Sequence, residues 1–306
     1  MSILMIEPIA FGFNVQTATN NYFQQNDNSA ADEIQKKALQ EFTAMVEKLR
    51  AHKIDVIVVK DTAQPHTPDS IFPNNWVSFH ENGAIALYPM YAENRRLERR
   101  EDILNYLQSA GFQINEIVDF SHYEKENIFL EGTGSMIFDR KNSVAYAALS
   151  QRTDENLFLN FCKKMNFTPV PFSAFQTVAE ERLPIYHTNV MMCVADSYVV
   201  ICLDTIDKNE EKELVKTALE KAQKTVVEIS EEQMHFFAGN MLQVENSEGK
   251  KYLVMSKTAY NSLNSKQLEV LQSFNEIIFV EIPTIEKYGG GSARCMMAEV
   301  FLPKKY

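Results

Sequence analysis

A recurring order of strand, turn, strand, helix and strand runs through this chain, and its period constrains the fold more than any other feature. Residues 76–80 and 84–88 are β-type runs around Glu81-Asn82-Gly83, a hairpin turn. A helix is predicted over 95–110, where Leu97, Leu104 and Leu107 return on one face and Gly111 stops it. A strand over 112–120 completes the unit. The same order returns at 135–138, 143–148, 154–165 and 167–172. It returns again at 189–194, 198–203, 209–224 and 225–229, and once more at 240–244, 251–256, 265–273 and 276–282. What remains is a strand at 294–302 at one end and, at the other, a strand at 2–7, a helix at 31–50 and a strand at 54–60. These pieces make a fifth unit if the last strand pairs with the first. The first strands begin at Asn75, Ser135, Asn189, Asn240 and Cys295, at intervals of 60, 54, 51 and 55 residues. Repetition at this length points to a ring of similar units rather than a doubly wound sheet.

Composition narrows the function classes. The chain has 306 residues, with 30 Lys and Arg against 41 Asp and Glu, a net charge of −11. That balance opposes binding to a phosphate backbone, which needs clustered cations. The one short basic run, Arg95-Arg96-Leu97-Glu98-Arg99-Arg100, is interrupted by a carboxylate. No apolar stretch approaches the roughly 18 residues a membrane span needs, and the amino terminus lacks the basic start of an export signal. We therefore expect one domain over residues 1–306 in the cytoplasm, with no nucleic-acid or membrane partner; a homo-oligomer stays open. The four cysteines and six histidines show no zinc-type spacing, so no metal site is expected, and the covalent cysteine chemistry read below needs no organic cofactor.

The segments just before the five hairpins carry the candidate chemistry. They read Pro68-Asp69-Ser70-Ile71-Phe72-Pro73-Asn74-Asn75-Trp76, Leu130-Glu131-Gly132-Thr133-Gly134-Ser135 and Tyr186-His187-Thr188-Asn189. The last two are Phe237-Ala238-Gly239-Asn240 and Gly289-Gly290-Gly291-Ser292-Ala293-Arg294-Cys295. If rotation relates the units, these heads converge near the axis and surround one pocket with a cysteine, a histidine, a carboxylate and several amides. That set suits a cysteine nucleophile with a histidine acid/base. A lone cysteine before an apolar run is ordinarily a core thiol, and a lone histidine is ordinarily structural; shared register lifts Cys295 and His187 above those readings. Glu131 either orients His187 and supports its charge or binds a substrate nitrogen. Cys162 lies in a predicted amphipathic helix, and Cys193 and Cys202 lie in strands, so packing is expected of all three. The glycine run lacks the Gly-Lys-Ser/Thr ending of a phosphate loop; it suits close approach of backbone to a small substrate.

These motifs resemble the arginine deiminase and amidinotransferase superfamily, over nearly the whole chain from Glu7 to Leu302. The resemblance implies the pentein fold, a five-bladed α/β propeller built from pseudo-fivefold ββαβ repeats. It looks closest to the amidinotransferase-related hydrolases that include citrulline-utilising enzymes. By that resemblance Cys295 is the nucleophile, His187 the acid/base and Glu131 the glutamate of a Glu-Gly-x-x motif. Arg95 matches an arginine that binds the substrate α-carboxylate, and Asp69 matches a substrate-contacting aspartate of dimethylarginine-hydrolysing relatives.

Two positions depart from the arginine-cleaving pattern. The family's Phe-x-x-Asp is here Phe72-Pro73-Asn74-Asn75, and its His-x-Asp is His187-Thr188-Asn189. Burying a guanidinium without anionic partners is costly, on the order of 3–5 kcal/mol for a broken buried pair. A ureido group is neutral and offers both donors and an acceptor, which an amide side chain can match. Asn75 and Asn189 thus turn the substrate reading toward citrulline, cleaved to ornithine, ammonia and carbon dioxide, or toward an enzyme that continues past citrulline, with Asn74 beside them as a further substrate-binding candidate. Arginine deimination to citrulline, a dimethylarginine-type hydrolysis and amidino transfer are the alternatives. A non-catalytic pentein acting as a binding module would lack the Cys/His/Glu set, and a papain-like protease places its cysteine before its histidine.

Overall fold

In the computed structural model, which describes residues 1–27 and 29–305, each predicted unit forms a small three-stranded sheet. Strand β1 (Ser2–Glu7) runs parallel to β2 (Asp55–Lys60) across the helix Ala31–Ala51. β3 (Val77–Phe79) turns back antiparallel into β4 (Ala84–Leu87), which lies parallel to β5 (Glu116–Asp119). β6 (Ile137–Asp139), β7 (Val144–Leu149) and β8 (Thr168–Ser173) repeat that arrangement. An unpredicted hairpin, β9 (Phe175–Val178) and β10 (Glu181–Pro184), follows. β11 (Met192–Val194), β12 (Tyr198–Ile201) and β13 (Thr225–Glu228) form the next sheet, and β14 (Leu242–Glu245), β15 (Lys251–Ser256) and β16 (Glu276–Val280) the next. β17 (Ala298–Val300) pairs antiparallel with β1, Ser2 opposite Val300 and Leu4 opposite Ala298. The two ends of the chain therefore build one sheet.

Sequence chemistry accounts for this arrangement. Tight turns permit the antiparallel pair, and a helix crossover is needed for the parallel one. Central strands are buried throughout, as in Tyr-Val-Val-Ile of β12, whereas the edge strand β13 buries only Val227. The helix Ala31–Ala51 buries Ile34, Ala38, Phe42, Met45 and Leu49, spaced three or four apart as one helix face requires. Asp154 caps the helix Glu155–Met165 by accepting from Leu157 N, and left-handed Asn166 ends it.

Two predicted elements change. The helix over 95–110 is broken into Glu93–Arg96 and Glu101–Ser109. Leu104 and Leu107 are buried as expected, but Leu97 is 50% exposed, because Arg95 and Glu98 occupy the inward face instead. The first strands also start later than predicted. Their opening residues form short helical turns, Pro73–Asn75, Gly132–Ser135 and Thr188–Val190, with irregular turns before β14 and β17. The turn Gly132–Ser135 packs against both Pro73–Asn75 and Thr188–Val190, while β17 packs beside β3, and β11 beside β6 and β14. Among the described residues no helix is long and apolar enough to cross a membrane.

Candidate active site

The short turns bring the heads of the units around a small, partly open cavity of about 10 Å³. Asp69, Asn75, Arg95, His187 and Cys295 line it, together with Arg152, Thr17 and Asn21. Glu131 and Asn189 stand just behind that lining, each bonded to a residue in it, and Asn74 lies outside it with neither end of its amide partnered. Among the described residues no group of three or more His, Cys, Asp or Glu could hold a metal.

Glu131 ends the strand-like approach to Gly132, where φ of +45° suits glycine. A side chain at Gly132 would also meet Asn74 O at 2.3 Å, so the turn needs a bare backbone. Glu131 Oε1 accepts from Tyr91 N at 2.9 Å, and Oε2 faces His187 Nε2 at 2.7 Å and Arg152 Nη1 at 3.5 Å. Burial opposes its charge, but the Arg152 guanidinium and the His187 hydrogen bond hold its carboxyl well below the usual range. An ionised carboxylate only accepts, so Nε2 of His187 carries the proton and Nδ1 is the bare nitrogen. Burial brings His187 down to about 4, against the pull of Glu131, so the imidazole is neutral near pH 7.

Cys295 follows the loop that leaves the helix Pro283–Gly289. Gly290, at φ +63°, ends that helix, and a side chain at Gly291 would strike the ring of Phe72 at 2.9 Å. Ser292 Oγ donates to Glu286 at 2.6 Å, tying the loop to the helix. The sulfur of Cys295 receives Asn189 Nδ2 and Asn240 Nδ2, each at 3.3 Å. Among the described residues no hydrogen bond joins it to His187. The other three cysteines are buried in apolar clusters, and burial pushes each thiol up to about 12.

Arg95 is buried and heavily engaged. Its guanidinium meets Glu98 in a bidentate pair at 2.8 and 2.9 Å, donates to Asn75 Oδ1 at 2.8 Å and lies 3.8 Å from Asp69. Asp69 accepts from Asn14 Nδ2 at 2.7 Å and Thr17 Oγ1 at 3.3 Å, while its Oδ1 is buried without a partner. Burial pushes its pKa upward in spite of Arg95. Asn75 Nδ2 and Asn189 Oδ1 are likewise buried and unpartnered.

The sequence reading passed over Arg152, Asn14, Thr17 and Asn20. Arg152 is buried between the rings of Tyr91 and Tyr186 and is held by Asn20, Thr17 O and Glu131. Each of these residues follows the second strand of a unit, as Arg95 does. Aligning those segments across the repeats, as was done for the heads, is the signal that finds them.

Against known protein families, the model described as N,N dimethylarginine dimethylhydrolase, eukaryotic, matches residues 7–302. The chain belongs to this family. It therefore belongs to the pentein superfamily and is a hydrolase of non-peptide carbon–nitrogen bonds. No curated protein matches the sequence. Among solved structures, the N-terminal domain of ArgZ, a cyanobacterial arginine dihydrolase, aligns at a TM-score of 0.72 and 16% identity, covering 98% of this chain and 99% of that domain. Whole ArgZ aligns at 0.75 and 18% over 99% of this chain, which spans only 41% of its length. A dimethylarginine dimethylhydrolase (DDAH) mutant from Pseudomonas aeruginosa, complexed with citrulline, aligns at 0.66 and 15%, covering 97% and 98% of the two chains. At these identities the likeness is one of fold, a mixed α/β arrangement of small sheets.

Proposed function

We propose that this dimethylarginine dimethylhydrolase family member cleaves the ureido group of citrulline to ornithine, ammonia and carbon dioxide through a covalent cysteine intermediate. The unpartnered Nδ2 of Asn75 carries this reading. Arg95 can only donate, so its hydrogen bond fixes Oδ1 of Asn75 toward Arg95 and leaves Nδ2, on a side chain that lines the cavity, as the free donor. A guanidinium presents only donors and would leave that N–H facing another donor. A ureido oxygen accepts it, and accepts it better as charge develops during attack.

In this scheme His187 Nδ1 takes the thiol proton of Cys295 as Sγ attacks the ureido carbon and passes that proton to the departing nitrogen, which leaves as ammonia. The remaining thiocarbamate links carbon to sulfur. His187, neutral again, removes a proton from water, which displaces the sulfur and releases a carbamate that falls apart to ornithine and carbon dioxide. Glu131 keeps the imidazole oriented and supports its charge in passing. Asn189 Oδ1 is a free acceptor beside the sulfur for the ureido N–H. Arg95 and Arg152 supply cations for a substrate carboxylate, and Asp69 Oδ1 is an acceptor for an ammonium. Asn74, lying behind the turn, supports Asn75 rather than the substrate. We read residues 1–306 as one domain and the five sheets as blades of a closed ring around this cavity.

A second reading takes arginine as the first substrate, with citrulline held and cleaved in turn. Asp69, whose Oδ1 has no partner, lines the cavity as an acceptor for an added cation, and the ArgZ structures share the fold. Purified protein incubated separately with citrulline and with arginine separates the two. Ornithine and ammonia in equal amounts from citrulline alone support the first reading, and two ammonia per ornithine from arginine supports the second. Citrulline accumulating from arginine, or no ammonia from either, overturns both.

A further inference from the structure

We infer that Asn240 is a further catalytic residue, its amide acting with that of Asn189 to stabilise the negative charge on the Cys295 sulfur as its proton passes to His187. The inference rests on the reading of Cys295 as the nucleophile. Asn240 heads the fourth unit, on the turn before β14, and is 1% exposed. Its Oδ1 accepts from Arg294 N at 3.0 Å, and its Nδ2 donates to Asn189 O at 2.9 Å and to Cys295 Sγ at 3.3 Å.

The orientation of this amide is dictated by backbone. Arg294 N can only donate and Asn189 O can only accept, so the oxygen of Asn240 faces one and the nitrogen the other. Both hydrogens of Nδ2 are then placed, and one points at sulfur. Asn189 Nδ2 adds a second donor at 3.3 Å. Donors aimed at a titrating atom favour its charged form. The hydrogen bonds to Sγ among the described residues come from these two amides, while His187 directs Nε2–H to Glu131. Because Asn240 also grips the backbone of Arg294, the same side chain sets the position of the residue beside the nucleophile.

The test is the pH dependence of iodoacetamide alkylation at Cys295, followed by mass spectrometry, with the buried Cys162, Cys193 and Cys202 as unreactive internal controls. The wild-type profile sets the reference midpoint. Asn240→Ala removes the donor and is expected to move the midpoint upward by about one unit, the size of one hydrogen bond to a charged group. Asn240→Asp keeps the acceptor for Arg294 N and the shape, but sets a carboxylate oxygen against sulfur. Its midpoint is expected to rise further than that of the alanine variant. If either variant lacks a cooperative melt, the other carries the comparison. Profiles that superimpose on wild type leave Asn240 with only its grip on Arg294 and overturn the inference. Alkylation needs no substrate, so a shifted profile with no ammonia release from citrulline or arginine sinks the proposed reaction while the thiolate role stands.

Discussion

Burial alone does not distinguish Cys295 from the other cysteines, for all four are buried. What distinguishes it is contact with amide donors, where Cys162, Cys193 and Cys202 sit among apolar side chains. Cys295→Ser is expected to abolish ammonia release and leave the thermal melt within a degree or two; turnover near wild type removes the residue from the mechanism. His187 carries a pH signature of its own. Its folded value of about 4 lies below the ordinary 6.5, so between those limits the unfolded chain binds the extra proton. Stability therefore rises with pH across the window and is lost on acidification, by at most about 1.4 kcal/mol per pH unit for one proton. Urea unfolding of wild type and of His187→Gln between pH 5 and 6.5 measures it as a difference in slope, because buried His80, pushed down to about 3, and buried Glu98, pushed up to about 7, also change their protonation on unfolding in that window. The slope of His187→Gln is expected to be the less positive of the two, and equal slopes contradict the burial account. The residue types Cys295, His187 and Glu131 were legible because shared register made three ordinary residues coincide. Arg152 was not, since a lone arginine in Ser150-Gln151-Arg152-Thr153 carries no motif and takes its place only through Asn20 and Thr17 from a distant loop.

At the level of elements, the site is made by turns rather than by strands. Gly134, in the turn Gly132–Ser135, shows why. A β-carbon there would lie 2.3 Å from Asn75 Nδ2 and 2.7 Å from His187 Nδ1, the two cavity atoms assigned to the reacting group. Alanine favours a helical turn over glycine, so Gly134→Ala gains locally while pushing both side chains aside. We expect it to lower kcat at least tenfold with a smaller effect on the melting temperature. Full activity would show that Asn75 and His187 have room to yield. The broken helix at Arg95 is the same lesson. Periodicity placed Leu97 on an apolar face, but the bidentate pair of Arg95 with Glu98 turns that face toward the cavity and leaves Leu97 in solvent. Sequence patterns see apolar spacing, and a buried ion pair at the same spacing is invisible to them.

For the whole molecule, the sheet formed by β17, β1 and β2 joins the two ends of the chain. Its central strand holds Ile3 and Leu4, both fully buried, so the amino-terminal residues belong to the structural core. Leu4→Ala removes a side chain packed among Trp76, Ile85 and Val300. It is expected to cost about 2–5 kcal/mol in urea unfolding, with loss of activity following loss of fold. A cost below 1 kcal/mol would mean that this sheet is dispensable to the rest. Arg294 beside Asn240 and Cys295 beside Asn189 tie the same carboxyl-terminal segment to two other units, so damage to that sheet reaches the nucleophile.

The sequence by itself determined the units, their number, the pairing of the two ends and the three residue types at the heads, because strand and helix periodicities and turn residues are local and repeat. Tertiary structure alone decided which way each amide of Asn75 and Asn240 points, that His187 is neutral and turned to Glu131, and that Arg152 and the loop around Asn14 close the cavity. Those outcomes depend on which donors and acceptors meet across units far apart in the chain, and on how far burial strips them of water. Neither quantity is written in local sequence.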